Sequence, residues 1–130
     1  LQAAIGVAQL ERIDDILDSR RKVEVEYRKE LDSIPSIEFQ KDNLSNRNKI
    51  VWFVSVLLDR KRDLFLELLS NEGIDARPFF YPLSIMPIYK QFVFSNKVCL
   101  EVASKGINLP TNSQVDNAII LKIKELLLKL

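Results

Sequence analysis

A chain of 130 residues with 47% apolar content, 28% charged content and a net charge of +1 fits one soluble domain with its own core, and carries no electrostatic footprint for nucleic acid or an anionic membrane. It has no histidine and only three scattered glycines, Gly6, Gly73 and Gly106, which removes the commonest general base and metal ligand and any glycine-rich phosphate loop. The single Cys99 has no internal disulfide partner, no apolar stretch nears the roughly 18 residues of a membrane span, and no basic segment opens a signal peptide, so the expected setting is a reducing cytoplasm.

Leu1, Ala4, Ile5 and Ala8 repeat at helical spacing with no capping residue before them, and the pattern runs on through Ile13, Ile16, Leu17, Val23, Tyr27 and Leu31. This predicts one long or slightly broken helix over 1–31, ending before Pro35, in a chain that begins inside a helix and so reads as part of something longer. The polar stretch over 36–49 holds a possible short strand at Ile37-Glu38-Phe39. Ile50 to Leu58, IVWFVSVLL, is apolar on both faces and is expected to be the central buried strand, with Trp52 in the core rather than serving as a stacking platform. Asp59 is placed to cap the next helix, whose stripe Leu64, Phe65, Leu68 and Leu69 should pack on that strand, with Gly73 closing it. Ile74 to about Pro78 reads as a further strand.

Ser95 or Asn96 starts another helix with Val98, Cys99, Val102 and Ala103 inward and Gly106 at its C-terminal cap; without a histidine to activate it, Cys99 reads as core rather than nucleophile. Ile107-Asn108-Leu109 is a short strand stopped by Pro110. Ser113 with Asp116 resembles a capping box that opens a last helix along Ile119, Ile120, Ile123, Leu127 and Leu130, while Lys122, Lys124 and Lys129 read as a solvated face. The expected fold is a small α+β domain, a short and mostly antiparallel sheet with helices on one side.

Between the third strand and the next helix, Ala76 to Tyr89 packs three of the five prolines and four of the ten Phe and Tyr residues into fourteen positions. Proline fixes φ, removes a donor and extends the residue before it, so neither a helix interior nor a central strand holds this run. It reads either as a rigid aromatic loop shaping a ligand pocket or as a crossover whose aromatics cap the core.

Three stretches carry a family resemblance. Leu1-Gln2-Ala3-Ala4-Ile5-Gly6-Val7-Ala8-Gln9-Leu10-Glu11-Arg12-Ile13-Asp14, with Arg20-Arg21, resembles the helix joining the large and small domains of the DegT/DnrJ/EryC1/StrS sugar aminotransferases. Glu72 to Leu83 is similar to that family's strand and pocket loop, and Lys105-Gly106-Ile107-Asn108-Leu109-Pro110 to its late G-x-x-L-P turn. The form Arg-Pro-Phe-Phe-Tyr-Pro-Leu-Ser-x-Met-Pro is nearest to perosamine-synthase-like members, which would place the protein in the making of cell-surface polysaccharide sugars.

The resemblance implies a pyridoxal phosphate (PLP)-dependent transferase of fold type I. Such enzymes are homodimers that move an amino group, usually from glutamate, to a nucleotide-linked 4-keto-6-deoxy sugar. It also implies that residues 1–34 are an interdomain helix and 35–130 the small C-terminal domain. The lysine that carries the cofactor, the aspartate facing its ring nitrogen and the phosphate-binding groups belong to a large domain upstream, as do an Asn and an Arg that reach the partner subunit's cofactor. Catalytic and cofactor-binding residues are therefore expected outside these 130 residues, and the chain alone is expected to be inactive.

By position in the motif, Tyr81 and Ser84 would line the sugar side of the pocket and Arg77 its rim, although many relatives carry a histidine where Ser84 stands. The residues themselves also fit other roles: Arg77 pairing a surface acid, Tyr81 capping the core, Ser84 capping a short helix. On chemistry alone a non-catalytic α+β binding module, or a dimerisation module using the first helix, stays open. The apolar face over 1–17 should either self-associate or be disordered in the chain alone.

Overall fold

Burial with period two defines the central strand. Val54, Val56 and Leu58 are at most 1% exposed while Ser55 and Leu57 are half-buried, so β2 (Val54–Leu58) shows one face to the core. The computed structural model describes residues 1–42, 45–46, 48–59, 61–92 and 96–130. In it β1 (Ile37–Phe39), β2, β3 (Arg77–Pro78) and β4 (Gly106–Leu109) form a sheet of order β1-β2-β4-β3, antiparallel throughout. Its register sets Phe39, Val56 and Ile107 in one row and Ser55 opposite Asn108 in the next.

The central strand starts four residues later than the apolar run suggests, and the reason lies across the ladder. Val54 pairs with Leu109, the last residue of β4; Pro110 follows and has no N–H to continue the ladder. Released from the sheet, Ile50 and Trp52 turn outward at 59% and 61% exposure, so Trp52 is not a core residue. β3 is likewise shorter than the expected 74–78, an edge pair ending on Pro78.

Helices α2 (Ile13–Leu31), α3 (Arg62–Asn71) and α5 (Asn117–Leu128) cover the core face. Tyr27, Leu31, Phe65, Leu69 and Ile123 are sealed there, each apolar side chain contributing roughly 1.5–3 kcal/mol. Leu68 is half-buried, but Leu64 is 45% exposed and does not join the expected stripe. α1 (Gln2–Leu10) is separated from α2 by Glu11 and Arg12, where an N–H reaches back three residues, from Arg12 to Gln9 (3.2 Å), and it buries nothing. α4 (Lys97–Lys105) borders the sheet's other face through half-buried Val102 and Ala103. Val98 on α4 is 75% exposed and Cys99 is exposed, against the expectation of both inside. Asn96 is its N-cap and Gly106 its C-cap; Ser95, the other expected start, lies outside the described residues.

Capping follows geometry more than motif. α3 is entered through Lys61 in the left-handed region (φ 59°), with no cap from Asp59, and Gly73 closes it at φ 73° as expected. α5 is capped by Asp116, which accepts the Ile119 N–H at 3.0 Å, so Asp116 is the cap itself rather than the far end of a box begun by Ser113. Lys122 and Lys124 are half-buried and paired with Glu72 (3.4 Å) and Glu30 (3.0 Å), so the solvated lysine face holds best for Lys129.

Candidate functional site

The side of the sheet turned away from the core is only partly covered, and the aromatic–proline run closes over it. Phe79 anchors the run: its ring lies against Gly106, where a Cβ would stand 2.2 Å from the ring. Only glycine at 106 allows β4 and Phe79 this approach. Pro82 is buried, two 3-10 turns follow at Leu83–Ile85 and Pro87–Phe92, and Phe80 and Tyr81 stand 74% and 77% exposed.

Between this run, the start of β2 and α4 lies a cavity of about 420 Å³, within the range of small-molecule sites. Trp52, Phe79, Phe80, Pro82 and Val102 supply apolar walls, with Gln40, Lys49, Ser55 and Asn108 as polar members. A second cavity of about 370 Å³ shares Phe79, Gln40 and Ser55. A smaller groove of about 170 Å³ holds Arg20, Asp75, Arg77 and Thr111 and meets the first at Trp52, Phe53 and Asn108.

The sequence-chosen residues are dispersed around this site. Arg77 lies in the small groove, its guanidinium on Asp75 at 3.1 Å, the surface-acid pairing the sequence left open. Tyr81 does not cap the core. Ser84 sits inside a 3-10 turn rather than capping one, and its hydroxyl accepts the Asn96 side-chain N–H at 2.6 Å. Neither lines the cavities above.

Contacts that the sequence does not foretell organise the site. The Trp52 carbonyl accepts from the Arg20 guanidinium at 2.7 Å and the Thr111 hydroxyl at 2.6 Å. The Ser55 hydroxyl donates to Asn108 Oδ1 at 2.8 Å. Buried Glu24 on α2 pairs with Arg28 (3.2 Å) and with Lys49, and both cations also meet Asp42 (2.7 and 3.0 Å). This network fixes the chain beside the cavity to α2. Besides the aromatic–proline run, a polar Asn108 inside an otherwise apolar strand was a signal in the sequence that could have marked the place.

The sequence model of the DegT/DnrJ/EryC1/StrS aminotransferase family matches residues 1–127. The chain belongs to that family. Among curated aminotransferases, it is 37% identical over 117 residues to a GDP-perosamine synthase of Vibrio cholerae, covering 85% of this chain and 31% of that protein. It is 30% identical over 136 residues to a dTDP-4-amino-4,6-dideoxy-D-glucose transaminase of Escherichia coli, covering 98% of this chain and 37% of that one. The aminotransferase TlmJ from Streptoalloteichus hindustanus shares the fold with a TM-score of 0.86 at 19% identity, over 96% of this chain and 34% of its own. The chain thus spans about a third of the length of the curated relatives it matches.

Lys49, Lys29, Lys105 and Lys129 do not suit the covalent bond that PLP makes. A lysine that bonds PLP needs a deprotonated amine in the site. Lys49, on the cavity wall, is held by Glu24 and Asp42. Hydrogen bonds to Glu26, Glu101 and Glu125 raise the amines of Lys29, Lys105 and Lys129 above their usual range, the wrong direction for a nucleophile. Among the described residues no group of three His, Cys, Asp or Glu could hold a metal ion.

Proposed function

We propose that these residues are the small domain of an enzyme that transfers the amino group of glutamate to the keto carbon of a nucleotide-linked 4-keto-6-deoxy sugar. The keto oxygen is exchanged for an amino group and glutamate leaves as 2-oxoglutarate. The observation that carries the reading is the family match across 1–127, with relatives named as a GDP-perosamine synthase and a dTDP-4-amino-4,6-dideoxy-D-glucose transaminase. PLP, held by residues beyond these, would supply the electron sink for the transfer. The enzyme is read as a homodimer with its sites at the subunit boundary.

Within this reading the chain's own part is to bind and orient the sugar end. Tyr81 offers an exposed ring for an apolar sugar face and a hydroxyl beside it. Ser84 Oγ already accepts from Asn96, which leaves its own proton to donate to a sugar oxygen. Arg77 can take a carboxylate or phosphate bidentately. Its present partner Asp75 competes weakly, because both side chains are at least 70% exposed and such pairs contribute at most about 1 kcal/mol.

The test is the enzyme that contains this chain, given glutamate and a panel of GDP- and dTDP-linked 4-keto-6-deoxy sugars. The expected result is 2-oxoglutarate formed in step with an amino sugar still on its nucleotide. PLP-loaded enzyme that forms neither product with any keto sugar refutes the proposal.

A further inference from the structure

The sugar contacts proposed above leave the most prominent wall of the large cavity without a task. We propose that Trp52 and Phe80 form a stacking cleft for the nucleobase of the substrate, an inference that rests on the aminotransferase reading and assigns its nucleoside subsite. Trp52 combines a 61% exposed ring with a pinned backbone, its carbonyl gripped by Arg20 at 2.7 Å and Thr111 at 2.6 Å. An exposed aromatic on a fixed backbone loses little freedom when it captures a flat ligand. Phe53 packs against it at 4.6 Å between ring centroids, tilted by 34°.

Phe80 stands 6.3 Å from the Trp52 ring, their planes 32° apart. A flat ring held between two others needs about 7 Å, twice the ordinary carbon contact distance. Phe80 is 74% exposed on its loop, so the remaining opening requires no disturbance of the core. Of the polar groups nearby, Ser55 is engaged with Asn108 at 2.8 Å and Lys49 with Glu24 and Asp42, and Gln40 lies exposed at the cavity's edge. Against the apolar faces of Trp52 and Phe80 a sugar ringed with hydroxyls would lose hydrogen bonds to water, whereas the π face of a base gives up none. The cleft therefore suits the base rather than the sugar.

The experiment uses the enzyme that contains this chain, as wild type, Trp52→Ala, Trp52→Phe and Phe80→Ala. Binding of GDP and of dTDP is measured by titration calorimetry, with KM and kcat for the keto-sugar nucleotide and far-ultraviolet circular dichroism alongside. Trp52→Ala is expected to weaken nucleotide binding and raise KM roughly ten- to hundredfold, the usual cost of losing a base–aromatic stack, with kcat within about threefold. Trp52→Phe should restore most of the loss and Phe80→Ala show a smaller one; being on an exposed loop, Phe80→Ala reports even if Trp52→Ala fails to fold. Unchanged GDP and dTDP affinity in the folded variants overturns the proposal. So does an equal loss of affinity for the sugar 1-phosphate, which would make the cleft a sugar site. The titration needs no turnover, so nucleotide binding lost in Trp52→Ala from an enzyme that transfers no amino group would refute the aminotransferase reading and leave the cleft standing.

Discussion

Tyr27 is fully buried on α2, and among the described residues its hydroxyl has no hydrogen-bond partner. Burial disfavours the phenolate and pushes the pKa well above the ordinary range. In the unfolded chain the same phenol ionises near its usual value of about 10. Above that pH the native state holds a proton that the unfolded state has lost, so stability present below about pH 10 falls as pH rises. Tyr27→Phe removes both the orphaned hydroxyl and this dependence. At pH 7 it should leave stability unchanged or raise it by up to about 1 kcal/mol. Between about pH 10 and 11, wild type should lose about 1 kcal/mol more than Tyr27→Phe, measured by urea unfolding. Tyr81 and Tyr89, 77% and 42% exposed, are the controls. Parallel alkaline slopes for wild type and Tyr27→Phe would show that the buried phenol is not the titrating group.

Among the helices, α5 separates motif from geometry. Asp116→Ala removes the 3.0 Å bond to the Ile119 N–H and should cost about 0.5–2 kcal/mol, whereas Ser113→Ala should cost nearly nothing. The reverse order in thermal unfolding would restore the capping box. The core positions Tyr27 and Leu31 of α2 and Ile120, Ile123 and Leu127 of α5, the strand at Ile37–Phe39 and the stop at Gly73 were legible because each follows from periodicity or from one residue's backbone preference. The β2 boundary was not, because it depends on Pro110, which follows a strand more than fifty residues away. Cys99 and Val98 misled for a related reason: their spacing is helical, but α4 meets the sheet only through its later turns, so an apolar stripe did not mean a buried one. The site was legible in part. The aromatic–proline run does form a wall of the cavity, while Trp52 was assigned inward with a strand it does not join. Arg20 was named only within the family resemblance and Thr111 and Glu24 not at all, since each acts on a group far away in sequence.

At the scale of the whole molecule, α1 leaves Leu1, Ile5, Val7 and Leu10 between 56% and 97% exposed. Leu1 and Ile5 lie on one side of the helix and Val7 and Leu10 on the other, and apolar surface exposed to this extent tends to find a partner. The 130-residue chain should therefore self-associate through residues 1–17, and Ile5→Glu should shift it toward monomer in sedimentation velocity. A well-behaved monomer in both forms, with the first helix protected from amide exchange, would show that α1 needs no partner. The central claim is that this chain supplies the substrate-binding side of an enzyme whose cofactor is anchored elsewhere. The most direct measurement is borohydride reduction in the presence of PLP, of both the 130-residue chain and the longer enzyme, after dialysis. Mass mapping should then find the reduced cofactor on one lysine of the longer enzyme outside these residues, and none on the chain alone. Cofactor fixed on a lysine within residues 1–130 would contradict the account.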